Sequence, residues 1–289
     1  MTNDTPDAHG RGGATLCLGN VSFLNARPLV WGLENHTDLV IVHDVPSRLL
    51  EGVAAGHYDV ALLPAIDYQR RDDLCVVPAG GIGCDGATLT VRIFSRKPLE
   101  EISSLAFDGD SHTSVALACI LLAERCGRRP QLVEISSPRA EACDARLLIG
   151  DKVVSRRHDG YRCEFDLGVL WKEHTGLPFL FAVWMTRRGR DLRDLPLRLS
   201  RAREEGLKNV DAIVARDAGG RGWPADLART YLSTLMKYEV GPAQLQAMAL
   251  FHALAARHGL LARPPREILL YGEHGAAFSG LRRTAGGAP

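Results

Sequence analysis

The sequence predicts an α/β protein with two lobes, each a mainly parallel sheet flanked by helices. Short apolar segments rich in β-branched residues alternate with helical segments, which is typical of parallel sheets. Two longer extended segments, residues 87–95 and 179–186, separate two such alternations and are predicted to cross between the lobes. Two lobes joined by two crossings enclose a cleft, and ligands of open α/β sheets bind outside the carboxyl ends of the strands.

The first lobe begins with four short strands and two helices. Pro28 suits a first helical turn, because its φ is already helical and its missing N–H would have no partner there. Ser47 is expected to cap the second helix, which Gly56 ends, and Pro64 ends the third strand. The predicted strands are 15–18, 39–43, 59–63 and 75–77, and the predicted helices are 28–33 and 47–55.

The second lobe repeats the alternation. Gly127 and Gly176 each follow a helical segment, as expected of residues that end helices. Asp166 precedes the last helix of this lobe and is interpreted as its cap rather than as a catalytic group. The predicted strands are 105–107, 131–135 and 146–149, and the predicted helices are 114–125 and 167–174.

The C-terminal part is helical and is expected to pack on the first lobe. Apolar residues at helical spacing, clearest in the last helix, predict helices at 197–216, 225–236 and 242–258. The predicted organisation is a discontinuous first lobe, a second lobe inserted in it, and two flexible tails. Their bounds are 14–94 plus 187–272 for the first lobe, 95–186 for the second, and 1–13 and 273–289 for the tails.

Composition excludes several classes of protein. The chain of 289 residues is 46% hydrophobic and 24% charged, with a net charge of +1, so neither nucleic acid nor a membrane is expected as a partner. It has no apolar run of signal-peptide or membrane-helix length, and a cytoplasmic location is predicted. Seven cysteines without a C-x-x-C pair indicate reduced thiols. No metal or nucleotide motif is present, so no cofactor is expected, and the oligomeric state is left open.

Polar residues follow the first strand, where a cleft would lie. Asn25 stands among Phe23, Leu24 and Pro28, which suggests an amide held inside the cleft; a cap of the following helix is an equally good interpretation. Arg27 could pair with an anion, although a solvated arginine is the commoner case.

Two further strand ends carry polar groups. Residues 107–114 join a strand to a helix and collect Ser111, His112, Thr113 and Ser114, so that hydroxyls meet the free N–H groups of a helix N-terminus. Such a site suits a carboxylate or a phosphate, and the alternative is an ordinary cap. Asp151 ends another strand at its cleft-facing end, or caps a helix. No nucleophile–base pair is evident, so the cleft favours positioning over covalent catalysis.

Several segments, taken in order along most of the chain, together resemble the chorismate dehydratases. The most specific is the long run FDLGVLWKEHTGLPFLFAVW at 165–184. The others are VSFLNARPL at 21–29, GIGCDG at 81–86, Thr90 with IFS at 93–95, SHTS at 111–114 and LIGD at 148–151.

The resemblance implies a type II periplasmic-binding-protein-like fold with the ligand between the lobes. It also implies a cofactor-free dehydration of chorismate to 3-[(1-carboxyvinyl)oxy]benzoate, which opens the futalosine route to menaquinone. The family's cleft asparagine maps onto Asn25 and its cleft hydroxyl onto Thr90, our two candidate catalytic residues. The candidate substrate-binding residues are Ser22, Arg27, Ser111, His112, Thr113, Ser114 and Asp151.

Two positions depart from the family pattern. His112 stands where the family usually has arginine, and Thr90, where it often has serine, keeps the hydroxyl and adds a methyl group. The base that removes the ring proton is not evident. Asp151, His112 and the substrate's own enolpyruvyl carboxylate are candidates, and we favour the substrate carboxylate, with Asn25 orienting it.

Two other functions fit the same fold. One is a non-catalytic binder or sensor of small anions, because fold does not fix function. The other is the sister enzyme dihydroxynaphthoate synthase, against which the FLNARPL segment at 23–29 argues.

Overall fold

The computed structural model describes residues 15–109, 112–272 and 277–278. The strands are β1 (Leu16–Val21), β2 (Leu39–Asp44), β3 (Val60–Pro64), β4 (Leu74–Cys84), β5 (Val91–Ser95), β6 (Ser104–Phe107), β7 (Gln131–Glu134), β8 (Ala145–Ile149), β9 (Cys163–Asp166), β10 (Phe179–Arg187), β11 (Met236–Lys237), β12 (Ile268–Leu269) and β13 (Ala277–Phe278). The α-helices are α1 (Pro46–Ala55), α2 (His112–Cys126), α3 (Lys152–Ser155), α4 (Leu167–Thr175), α5 (Leu195–Lys208), α6 (Val210–Asp217), α7 (Ala225–Thr230) and α8 (Pro242–Arg257).

Two sheets form the centres of two lobes, which confirms the predicted fold class. The larger sheet has the order β11-β4-β10-β3-β1-β2, with β1 parallel to β2 and β3. The smaller sheet has the order β7-β6-β8-β5-β9, with β6 parallel to β7 and β8. The strands next to each change of sheet, β5 and β10, run antiparallel to their neighbours.

The chain changes sheet twice. It leaves the larger sheet after Cys84 and enters the smaller one at Val91. On its return it passes from β9 through α4 to β10, which pairs along its length with β3 and β4. Residues 179–186, expected as a crossing, therefore already belong to the larger sheet. The lobe boundaries given above stay a prediction.

Most of the predicted helices and strands are present. The predicted helix ends, the predicted cap of α4 and the predicted free cysteines are also found. Gly56, Gly127 and Gly176 end their helices with φ values of 80°, 63° and 72°. Asp166 caps α4 by accepting hydrogen bonds from Gly168 N and Val169 N. All seven cysteines are free thiols.

Three expectations about local structure were wrong. Ser47 lies inside α1, because Pro46 takes the first helical turn and Val45 the cap position. The helix expected at 197–216 is interrupted at Asn209, whose side chain donates to Glu205 O and so competes with a continuing helix. The α-helix expected at 225–236 extends only to Thr230, and the chain then forms one π-helical turn, Tyr231–Leu235. The short elements α3 and β9 were not predicted.

Aromatic packing joins the second lobe to the first. Trp171 of α4 meets Phe179 of β10 edge to face, with ring centroids 5.0 Å apart, and Phe251 of α8 lies 5.1 Å from Phe179. The neighbouring His252 is a core residue: burial lowers its pKa to about 4 while it contacts Ala65 O and Gln69. No helix within the described ranges is long and apolar enough to cross a membrane.

Candidate active site

A cavity lies between the two sheets and is lined by strand ends and helix starts from both lobes. It encloses about 600 Å³ of space, a figure that includes open solvent at its mouth. Its lining is mainly apolar, and none of the described residues in it carries a charge. We call it the interlobe cavity; it is lined by Val21, Phe23, Asn25, Pro46, Pro64, Ile82, Thr90, Val91, Thr113, Ser114, Ile149, Gly150, Phe181, Ala182 and Met236.

Asn25 lies on a short 3₁₀ helix, Leu24–Val30, that follows β1. The cap position of this helix is Phe23, and the Asn25 side chain makes no cap hydrogen bond, so the alternative interpretation as a cap was wrong. Its Nδ2 donates to the hydroxyl of Tyr231 at 3.0 Å. Its Oδ1 is buried and has no hydrogen-bond partner within the described part of the chain. The amide therefore keeps an unpaired acceptor in a residue that lines the cavity.

Thr90 ends the segment that carries the chain into the smaller sheet. The Asp166 carboxylate accepts hydrogen bonds from Thr88 N at 3.0 Å and Leu89 N at 2.8 Å, so the cap of α4 also holds this segment. Leu89 has a φ of 64°, which residues with a side chain seldom adopt. Gly168 is required in α4, because a side chain there would collide with Gly86 O. This backbone is thus fixed immediately before the Thr90 side chain enters the cavity.

A third side chain, Tyr231, joins these two. Its hydroxyl lies 2.7 Å from Thr90 Oγ1 and 3.0 Å from Asn25 Nδ2. Tyr231 is 1% exposed, and burial raises its pKa well above the ordinary value, so the phenol is neutral. One phenol therefore bonds both candidate catalytic residues, which are far apart in the sequence.

The N-terminus of α2 supplies the remaining polar groups. Thr113 and Ser114, both 3% exposed, line the interlobe cavity in the first turn of this helix. The Thr113 hydroxyl also accepts a hydrogen bond from Ile66 N at 3.3 Å. Ser111 lies outside the described residues. The first turn combines hydroxyls with the partial positive charge of a helix N-terminus, which suits an anion.

His112 does not line the cavity, although its neighbours do. Its Nδ1 lies 2.9 Å from the carboxylate of Asp67, which is fully buried and also pairs with Arg70 at 3.0 Å. The imidazole is therefore turned toward the helical segment after β3. It fixes the start of α2 against the first lobe.

Asp151 also lies outside the lining, beside Gly150, which belongs to it. Its carboxylate accepts hydrogen bonds from Trp223 Nε1 at 2.8 Å and Leu24 N at 3.4 Å. Burial raises the pKa of Asp151, while the bond from Trp223 opposes the shift. Like His112, Asp151 connects the lobes at the edge of the cavity.

Arg27 and Ser22 are not brought to the cavity. The Arg27 guanidinium lies 3.5 Å from Asp217 and 3.4 Å from His43 Nε2, in a separate surface depression. Ser22 is exposed and is not among the lining residues. The structure thus gathers Asn25, Thr90, Thr113 and Ser114 of the predicted set.

Sequence reasoning missed Tyr231 and Trp223. The two rings stack, with centroids 4.8 Å apart and an interplanar angle of 22°. Nothing in the sequence distinguishes Tyr231 from an ordinary core residue of a helix. Its π-helical turn would have been a useful signal, since such turns are frequent at functional sites, but helical periodicity does not reveal it.

Two α/β lobes around a cavity with few polar groups define a protein of the periplasmic-binding-protein-like class. Solved structures agree: a protein of Archaeoglobus fulgidus gives a TM-score of 0.67 at 18% identity, covering 85% of this chain and 98% of that one. The periplasmic aliphatic sulphonate binding protein SsuA of Escherichia coli gives 0.60 at 15% identity, covering 88% and 96%. A family profile described as menaquinone biosynthesis matches residues 16–257, and the chain belongs to this family.

One curated relative carries a named activity. The chorismate dehydratase of Thermus thermophilus is 27% identical over an alignment of 259 residues, and the match covers 79% of this chain and 96% of the relative.

Proposed function

We propose that this protein is a chorismate dehydratase that binds chorismate in the interlobe cavity. The product is 3-[(1-carboxyvinyl)oxy]benzoate, and the reaction opens the futalosine route to menaquinone. Family membership and the named relative support the substrate. The observation that carries the proposal is the pairing of Asn25 and Thr90 on one buried phenol, beside a mainly apolar cavity that both residues line.

The reaction needs little beyond positioning. Loss of the proton at ring carbon 3 and of the hydroxyl at carbon 4 makes the ring aromatic and releases water, so the driving force lies in the substrate. The C–H bond at carbon 3 is conjugated through a ring double bond to the ring carboxylate, so the negative charge left by the proton can be delocalised onto that carboxylate. Hydrogen-bond donors on that carboxylate stabilise the enolate-like transition state. No cofactor enters this scheme.

The base is the substrate's own enolpyruvyl carboxylate, folded onto carbon 3. Two observations support this choice over a side chain. The described lining of the cavity holds no carboxylate and no histidine, and the earlier candidates Asp151 and His112 are engaged with Trp223 and Asp67. Asn25 orients the enolpyruvyl group, and Thr90 contacts the reacting ring. A cytoplasmic location stays part of the proposal.

Turnover tests the proposal directly. Trace protein mixed with excess chorismate, without added metal or nucleotide, should consume many equivalents and form a product lighter by one water in mass spectrometry. A chelator should leave the rate unchanged. Recovery of unchanged chorismate, with no more than one equivalent bound, would instead support a non-catalytic protein that binds small anions.

The N-terminus of α2 is the proposed carboxylate anchor. Thr113→Ala combined with Ser114→Ala should weaken binding of a benzoate-type product analogue by roughly tenfold or more, since each hydrogen bond is worth about 1 kcal/mol. Calorimetry gives the Kd, and Thr37→Ala, which changes an exposed threonine, is the control. A Kd within about twofold of the parent value would mean that the anchor lies elsewhere.

A further inference from the structure

Tyr231 stands between the two residues to which we assign the chemistry. Its hydroxyl bonds Asn25 and Thr90, and its ring is buried against Trp223. It is not itself among the residues that line the interlobe cavity. Any role in the reaction must therefore pass through its two polar neighbours.

The hydrogen bonds of the Tyr231 phenol constrain the directions in which Asn25 and Thr90 can donate. Asn25 Nδ2 donates to the Tyr231 oxygen, so the single phenolic proton is directed to Thr90 Oγ1. The proton of Thr90 is then free to be donated to a ligand, while Asn25 Oδ1 is free to accept. Turning the amide of Asn25 over would reverse both directions, leaving Asn25 as the donor toward the cavity and Thr90 as the acceptor. The phenol thus couples the hydrogen-bonding polarity of the two side chains.

The surroundings of Tyr231 hold it in one place. It begins the π-helical turn after α7, and its ring stacks on Trp223. Trp223 donates to Asp151, and the same oxygen of Asp151 accepts from the backbone N–H of Leu24, next to Asn25. The contacts that hold Tyr231 in place therefore connect, through Trp223 and Asp151, to the 3₁₀ helix that carries Asn25.

We propose that Tyr231 is a positioning residue, which fixes the orientation of Asn25 and Thr90 and sets which of them donates to the bound substrate. The inference rests on the proposed function. A fixed orientation matters most in the transition state, where misplaced hydrogen bonds cost more than they do in substrate binding.

The test is Tyr231→Phe, which removes one oxygen and keeps the ring. We expect kcat for chorismate to fall about tenfold, the worth of roughly one or two hydrogen bonds, while KM changes by less than about threefold. Tyr238→Phe is the matched control, because Tyr238 is 3% exposed and its hydroxyl has no partner in the described part of the chain. Its kcat should equal that of the parent. A normal kcat for Tyr231→Phe, in an active parent enzyme, would overturn the inference.

A cycle of variants separates positioning from general loosening. Added to a protein that already carries Asn25→Ala and Thr90→Val, Tyr231→Phe should cause no further loss of kcat, because its two partners are gone. An equal tenfold loss in that background would mean a structural role and would also refute the inference.

A measurement without substrate distinguishes failure of this inference from failure of the proposed function. In ¹⁵N-labelled protein, the side-chain amide of Asn25, assigned with Asn25→Ala, should exchange with solvent more slowly than in Tyr231→Phe. Equal exchange rates in the two proteins would refute positioning, whatever chorismate does. An inactive parent with a protected amide would refute only the dehydratase.

Discussion

Asn25→Ala should lower kcat for chorismate by about a hundredfold or more, the scale of losing one positioned polar group in a transition state. The amide nitrogen is fixed on Tyr231 through one N–H, and its second N–H can donate to the enolpyruvyl carboxylate and hold it in one orientation. Alanine leaves a small void that only water could fill. Steady-state kinetics, with the product identified by mass spectrometry, measures the effect.

Stability should change much less than activity in this variant. Asn25 makes one hydrogen bond to the phenol, and Tyr231 retains Thr90 as a partner, so the free energy of unfolding should fall by only about 1 kcal/mol. Asn35→Ala, at an exposed asparagine, is the control for both measurements. If kcat stayed within a few-fold of the parent while the melting temperature fell, Asn25 would be a structural residue.

Thr90→Val should lower kcat by a comparable factor, about a hundredfold. Valine has nearly the shape of threonine, so the cavity keeps its form while the hydroxyl is lost. Thr90 is 1% exposed, and the phenol of Tyr231 would then lack one of its two partners. We therefore expect the loss in kcat to arise from chemistry rather than from a changed volume.

Thr90→Ser is the matched control, because it restores the hydroxyl and removes only a methyl group. Its kcat should stay within about threefold of the parent. A serine variant as inactive as the valine variant would show that shape, rather than the hydroxyl, is decisive. Such a result would remove Thr90 from the chemistry and leave it as a packing residue.

Local patterns in the sequence were sufficient for most of the fold. Alternating strand and helix signals predicted both lobes, and glycines at 56, 127 and 176 marked helix ends, because these effects act within a few residues. The cap role of Asp166 was predicted for the same reason. Helical periodicity did not reveal the π-helical turn at Tyr231, and the errors at Ser47 and Asn209 came from local effects that it does not include.

The residues of the candidate site also divide into those that the sequence predicts and those that only the tertiary structure reveals. Asn25, Thr113 and Ser114 could be chosen from the sequence, because residues after strand ends and at a helix start face the space between the lobes, and the resemblance to the chorismate dehydratases added Thr90. Arg27 and Ser22 share a segment with Asn25, but they project elsewhere. Closeness in the sequence does not determine the direction in which each side chain of such a segment projects.

Only the tertiary structure decided how the polar groups are connected. His112 and Asp151 looked like cavity groups by position, yet their partners Asp67 and Trp223 are distant in sequence and engage them at the edge. Tyr231 has the same character: its hydroxyl meets Asn25 across 206 residues and Thr90 across 141. The sequence by itself determined the class of fold and four polar residues of the cavity. The shared phenol was decided by packing, because hydrogen bonds between side chains depend on the folded positions of all three residues.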